Sequence, residues 1–249
     1  MNGVIFEKKG KTAYVTLDRP KQYNAINFEI REQLCKAWEE IENDSNISSV
    51  IITGGEKCFT VGQDMIEAKE FRDKYPLADY PNLFLPLNRP ETAGYGLRKP
   101  VIAAISGYCL GWGLFMVMEG ADIRVASETA QFGMPEIKRG IIPNLGFQAR
   151  IAKHFPPAIV MELLITGKNI SASEARQFGF VNKVVPPEEL MSTAEKYADV
   201  INSMSPYAVS KIKEIVTCVN SPEEAKIRYS DAVHEASRFH PDIREGIVA

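Results

Sequence analysis

Hydrophobic and polar residues change their spacing several times along this chain, from alternation at every second position to recurrence at every third or fourth. Val4, Ile5 and Phe6, followed by the run 13–17, read as two strands around the turn Lys8-Lys9-Gly10-Lys11, and Asp18, Arg19 and Pro20 end the second. Phe28, Ile30, Leu34, Trp38 and Ile41 recur at helical spacing with glutamates and lysine between them, which predicts an amphipathic helix reaching Asn43. Residues 50–53 predict a buried strand and 65–73 a helix, after which Pro76, Pro81, Pro86 and Pro90 forbid a continuous one. A strand over 101–106, a helix over 112–118 and a strand over 122–126 continue the alternation, which is the α/β signature. From Ile151 onward helical patterns dominate. Ser171 with Glu174 and Ser221 with Glu224 fit capping boxes, and the one strand candidate there, 181–185, is closed by Pro186 and Pro187.

Chemistry concentrates between Lys99 and Pro143. The apolar run 101–106 turns through Gly107, Gly111 and Gly113 into an apolar helix, and Met134-Pro135-Glu136 follows. Glycines between a buried strand and a buried helix let backbone amides approach a ligand, because no Cβ stands in the way. The upstream Phe59-Thr60-Val61-Gly62-Gln63-Asp64 has the same strand–turn–helix character and can bring a second amide to the same pocket. Two amides and one acid suit chemistry next to a carbonyl. The glycines lack the third glycine and the downstream acid of a dinucleotide fingerprint, so a Rossmann cofactor site is not supported. Glu136 is open to two readings: an exposed loop glutamate, or a partly buried one that holds a proton near neutral pH. Gly62-Gln63-Asp64 before a helix is also an ordinary cap, and Asp64 reads as capping rather than catalytic.

The bulk composition narrows the partners. At 249 residues the chain fits one catalytic domain, and 29 Lys and Arg against 32 Asp and Glu, with no basic run, argue against nucleic acid. Cys35, Cys58, Cys109 and Cys218 lie far apart, and His154, His234 and His240 form no ligand pair, so neither a metal site nor a disulfide framework is expected. Each histidine reads as a surface or capping side chain. The first eleven residues carry no apolar signal core, and no apolar run is long enough for a membrane span, so the chain reads as cytoplasmic with no membrane partner.

Six blocks in order resemble the enoyl-CoA hydratase/isomerase (crotonase) family: LDRPKQYNAIN at 17–27, FTVGQD at 59–64, KPVIAAISGYCLG at 99–111, FGMPE at 132–136, GIIP at 140–143 and SASEARQFGFV at 171–181. The resemblance covers essentially the whole chain. It implies an α/β fold, a crotonase-like spiral of ββα repeats over 1–190 with a helical C-terminal trimerisation region over 191–249, assembled as a homotrimer or hexamer. It implies an acyl-CoA thioester as partner, with coenzyme A part of the substrate and no separate cofactor or metal, as in fatty acid metabolism. The thioester oxygen would be held by the backbone N–H groups of Gln63 and Trp112, forming an oxyanion hole, with Glu136 as the proton-transfer group. The CoA moiety would lie along Lys21, Tyr23, Ala25, Val61, Gln63, Asp64, Met65 and Ile66, with Lys21 or Arg19 meeting phosphates, and Gly111, Trp112 and Phe115 would be further substrate-binding positions.

The chain departs from the family pattern in three places. Trp112 stands where the family usually has glycine; the donor is a main-chain amide, so the hole can persist if the indole points away or reshapes the acyl pocket. Phe115 stands where hydratases usually carry a second glutamate, a loss worth ~10²- to 10⁴-fold if hydration were the task. The chain also stops at Ala249, short of the aromatic and basic tail that relatives usually carry over the CoA. One carboxylate suffices for a proton shuttle, so an enoyl-CoA isomerase is the favoured expectation. The alternatives are an enoyl-CoA hydratase or dehydratase, including carnitinyl-CoA-type dehydration, and a non-catalytic acyl-CoA-binding homologue. Phe71, Tyr75, Tyr80, Phe84 and Leu85 read equally as acyl-pocket wall or subunit-contact loop.

Overall fold

The computed structural model describes residues 3–74, 94, 96–143, 146–220 and 232. The opening alternation becomes β1 (Val4–Lys9) and β2 (Thr12–Leu17), an antiparallel pair with Val4 opposite Leu17 and Lys9 opposite Thr12. Asn27 then caps α1 (Phe28–Asn43), its side chain accepting the Ile30 amide at 2.9 Å. The chain continues through β3 (Ser49–Thr53), α2 (Met65–Lys74), β4 (Val101–Ile105), β5 (Tyr108–Leu110), α3 (Trp112–Glu119), β6 (Ile123–Ser127) and β7 (Gln131–Gly133). A 3-10 turn, Pro135–Arg139, precedes α4 (Phe147–Ile151), α5 (Pro157–Thr166), β8 (Asn169–Ser171), α6 (Ala172–Gln177), β9 (Lys183–Val185), α7 (Leu190–Asn202) and α8 (Pro206–Asn220).

Six strands form one sheet in the order β1-β2-β3-β4-β6-β9, parallel everywhere except at β1–β2. Parallel strands covered on both faces read as near-continuous apolar runs, and β3 and β4 are buried at every position, β3 with Ser49 and Thr53 at its ends. Val50, Ile52, Val101, Ala103 and Ile105 turn to the main core. Ile51, Ile102, Ala104 and Val125 face the other way, onto Leu190, Ala194 and Ala198 of α7. Leu190, Ala194 and Ala198 thus seat α7 on that face of the sheet.

A second sheet, β5-β7-β8, departs from the expected pattern. The segment between Gly107 and Gly111 reads in sequence as a turn, yet it forms β5, parallel to β7, with Leu110 opposite Gly133. β8 falls in the stretch expected to be helical, and β9 starts at Lys183 rather than at residue 181. Strands of three residues hold too few alternations to register as a pattern; their ladder partners create them. The capping box of Ser171 and Glu174 is present at α6, whereas Ser221 and Glu224 lie outside the described residues. No helix among the described residues is long and apolar enough to cross a membrane.

Buried charge anchors the far end of α3. Arg124 donates to the carbonyls of Val117 at 2.7 Å, Met118 at 3.2 Å and Ala121 at 2.9 Å, satisfying the helix C-terminus. Glu119 of α3 pairs with Arg150 of α4, both side chains buried. His154 does not lie free on the surface: its ring is edge-on to Phe180 at 5.8 Å, and burial, with Arg124 nearby, pulls its pKa down to about 3, so it is neutral.

Candidate active site

Two backbone segments converge on the N-terminus of α3. Thr60 N–H donates to the Tyr108 carbonyl at 2.8 Å and Leu110 N–H to the Thr60 carbonyl at 3.0 Å, so residues 60–63 run beside β5. Further on, Ile26 N–H donates to Gly62 O at 2.8 Å and Asp64 N–H to Ile26 O at 3.0 Å. In such a parallel bridge the neighbours of Gln63 make the bonds, and Gln63's own N–H faces away from Ile26. Gly62 makes the approach possible: its φ is +90°, and a Cβ there would stand 2.6 Å from Leu110 O and 3.0 Å from Trp112 N. Trp112 is the first residue of α3, where the amides lie outside the intrahelical ladder and the dipole is positive.

Glu136 reaches the same turn from β7. Gly111 N–H donates to Gly133 O at 2.9 Å, and the 3-10 turn starting at Pro135 swings the carboxylate back toward Gly111. A Cβ on Gly111 would meet Glu136 Oε1 at 2.6 Å. Glu136 Oε2 is buried without a hydrogen-bond partner. Burial raises the carboxyl pKa to about 7, opposed by its own amide and by Arg139. Of the two readings open in the sequence, the partly buried one describes this group.

Phe115 is buried one turn along α3 from Trp112, edge-on to its indole at 5.3 Å, with Phe147 at 6.1 Å. The position where a second acid is expected is therefore part of an aromatic wall.

The expected CoA-binding residues form one rim. Val61 N–H donates to Tyr23 O at 3.1 Å, which joins the loop carrying Lys21, Tyr23 and Ala25 to the segment running from Val61 through Gln63 to Met65 and Ile66. Lys21 is exposed, as are Tyr23 (58%) and Ile66 (74%), whereas Ala25 is buried. Asp64 caps α2, accepting the amides of Ile66 at 3.1 Å and Glu67 at 3.3 Å. Its other oxygen pairs with Arg19, which also donates to Ala25 O at 2.7 Å. Arg19 thus holds the rim together, and Lys21 is the cation of the pair left facing solvent. Phe71 packs edge-on against Phe28 at 5.3 Å, while Tyr75, Tyr80, Phe84 and Leu85 lie outside the described residues.

Asn24 is a residue that sequence reasoning passed over, although it sits inside the first matching block. At φ +55°, its amide nitrogen lies within hydrogen-bond distance of the carbonyls of Gly54 (2.9 Å), Cys58 (2.7 Å) and Phe59 (3.1 Å). Its backbone carbonyl accepts Thr60 Oγ1 at 2.6 Å, and Thr60 Oγ1 accepts Gly62 N–H at 3.0 Å. An asparagine next to a tight turn was the available signal, since Asn tolerates left-handed backbone and bonds it locally. Asn24→Ala is expected to cost about 2–4 kcal/mol of stability by leaving buried carbonyls unsatisfied. It should also raise KM by loosening the segment before Gln63; urea unfolding and steady-state kinetics on one preparation check both.

Residues 7–249 match the family model for enoyl-CoA hydratase/isomerase. The chain belongs to that family. Among crotonase-family relatives, the short-chain-enoyl-CoA hydratase of Clostridium acetobutylicum is 41% identical over 229 residues, 87% of this chain and 81% of that protein. The carnitinyl-CoA dehydratase of Salmonella paratyphi A is 39% identical over 225 residues, 89% of this chain and 83% of its own length. The crystal structure of carnitinyl-CoA hydratase from Mycobacterium avium superposes with a TM-score of 0.86 at 30% identity, covering 100% of this chain and 95% of that one. The fold is thus crotonase-like, and enzymes of the enoyl-CoA hydratase/isomerase family act on acyl-CoA substrates.

Proposed function

We propose that this protein is an acyl-CoA enzyme that moves a double bond: a thioester enolate forms in a two-amide oxyanion hole, and Glu136 alone transfers the proton. The observation that carries this reading is the Glu136 carboxylate, buried against the glycine turn that opens α3, with phenylalanine at the position of a second acid. The thioester oxygen accepts hydrogen bonds from the amides of Gln63 and Trp112. The Glu136 carboxylate takes a proton from the α-carbon of a 3-enoyl ester, and the electron pair passes into an enolate whose charge the amides and the α3 dipole offset. The carboxylic acid so formed returns the proton to the γ-carbon, leaving the 2-enoyl ester, and no water is consumed. A group with a pKa of about 7 suits both halves of the transfer at neutral pH. Coenzyme A lies along the rim from Lys21 to Ile66, its phosphates near the Lys21 ammonium, and enters as part of the substrate with no other cofactor.

A second reading, hydration or dehydration of an enoyl-CoA, is favoured by the names of the relatives at 41% and 39% identity. It requires a polar group other than residue 115 to hold the water. We further infer a homotrimer or hexamer built on the helical C-terminal region, because α8 exposes Tyr207 (75%), Ile212 (63%) and Ile215 (62%). In the same reading the core is a spiral of ββα units and the protein works in the cytoplasm.

Incubation with 3-enoyl-CoA and with 2-enoyl-CoA in heavy-oxygen water, followed by mass spectrometry, separates the readings. A shifted double bond without oxygen uptake is the expected result. Oxygen at the β-carbon would replace isomerisation by hydration, and tight binding without turnover on a broad ester panel would leave a binding protein.

A further inference from the structure

Arg31 lies on the buried face of α1 and is 2% exposed, in step with Leu34 and Trp38. Removing a guanidinium from water is costly, and the charge persists only where its surroundings compensate. Aromatic rings and an anion are among its surroundings. The guanidinium carbon lies 5.2 Å from the ring centre of Trp112 and 6.0 Å from that of Phe28, and the positive charge acts on the carboxylate of Glu67. Glu67 in turn accepts the amide of Phe28 at 2.8 Å, tying α2 to the start of α1. The indole of Trp112 thus sits against a cation from another element and edge-on to Phe115 of its own helix. A glycine at position 112 would offer nothing to grip.

We propose that Arg31 is a positioning residue for the oxyanion hole: by lying over the Trp112 indole it clamps the first residue of α3 to α1 and keeps the Trp112 amide aimed at the thioester oxygen. The inference rests on the thioester reading above for the identity of the ligand. Arg31 acts through Trp112 and touches no reacting atom. The substitution of tryptophan for glycine is then an anchor for the amide-bearing turn, and it orients the indole toward α1.

The test uses a Trp38→Phe background, which leaves Trp112 as the sole remaining one of the two tryptophans. Without ligand, Arg31→Met is expected to make Trp112 emission more easily quenched by acrylamide. With cinnamoyl-CoA bound, the red shift of the enoyl thioester absorption, which reports carbonyl polarisation, should shrink. kcat/KM should fall about 10- to 30-fold, mostly in kcat, the factor a desolvated cation–π contact supplies. Arg31→Lys, which keeps the charge, should recover part of both signals. On a Trp112→Gly background, Arg31→Met should change neither the red shift nor kcat further.

Unchanged quenching and an unchanged red shift in Arg31→Met would overturn the proposal, as would an equal loss with and without the indole. If Arg31→Met does not fold, the same readouts on Arg31→Lys decide: a partial loss of red shift supports the clamp, and a full parental shift overturns it. Failure of the thioester reading looks different, because the parent would then show neither red shift nor turnover. The ligand-free quenching comparison would still support or overturn the clamp.

Discussion

Glu136→Gln is expected to lower kcat by ~10²- to 10⁴-fold while acyl-CoA binding persists, because glutamine keeps the shape of the side chain and cannot accept a proton. The same substitution should stabilise the protein in alkaline solution. The folded-state pKa of about 7 lies above the ordinary value of 4.5, because the carboxylate is desolvated beside Gly111. Below pH 4.5 both folded and unfolded chains hold the proton, and the group contributes no difference. Between pH 4.5 and about 7 the unfolded chain releases it first, so stability falls as pH rises, and above about 7 the penalty is complete. Its full size is on the order of 3 kcal/mol. Urea unfolding of parent and variant at pH 5 and pH 8 therefore gives a small difference at the lower pH and a large one at the higher. A difference independent of pH would mean that the carboxylate is not buried. In the parent, kcat/KM rises with pH through about 7 as the base form appears.

Gly111→Ala is expected to remove activity and stability together. The backbone at φ +52° and ψ −116° is open to glycine and strained for any other residue, a cost of about 1–3 kcal/mol. The new Cβ would also meet Glu136 Oε1 at 2.6 Å, so either the carboxylate or the start of α3 must move. The expected loss in kcat approaches that of Glu136→Gln. Gly10→Ala is the control at a second positive φ, +60°, with nothing within 4 Å of the added atom. It carries the backbone cost alone and should leave kcat at the parental value. Full activity in Gly111→Ala would sever the link between Glu136 and this turn.

Local pattern accounts for much of what could be read in advance. The helix from Phe28, the buried runs at β3 and β4 and the capping box at Ser171 are short-range features whose period or residue types are legible without neighbours. β5, β7 and β8 were not legible, because each exists through hydrogen bonds to a segment distant in sequence. Arg31 shows the same limit at the level of a side chain. It falls in step with the apolar stripe of Phe28, Leu34 and Trp38, which marks it as inward-facing, but the ring that holds it belongs to Trp112. Arg19 reads equally well as a phosphate ligand until its partner Asp64 is seen.

What the sequence determined by itself was the set of candidate groups on which the proposed reaction rests: one glutamate in a Pro-Glu turn, two glycine-flanked amides, and phenylalanine where the family resemblance expects a second acid. These are matters of composition and order, and folding cannot change them. Tertiary structure decided the proton affinity of Glu136, the convergence of Gln63 and Trp112, and the commitment of Arg19 and Arg31 to neighbouring elements. A carboxyl pKa depends on the water that surrounding atoms exclude, and the direction of an amide depends on the ladder its neighbours enter. Both are set by residues far along the chain, and packing brings those residues together.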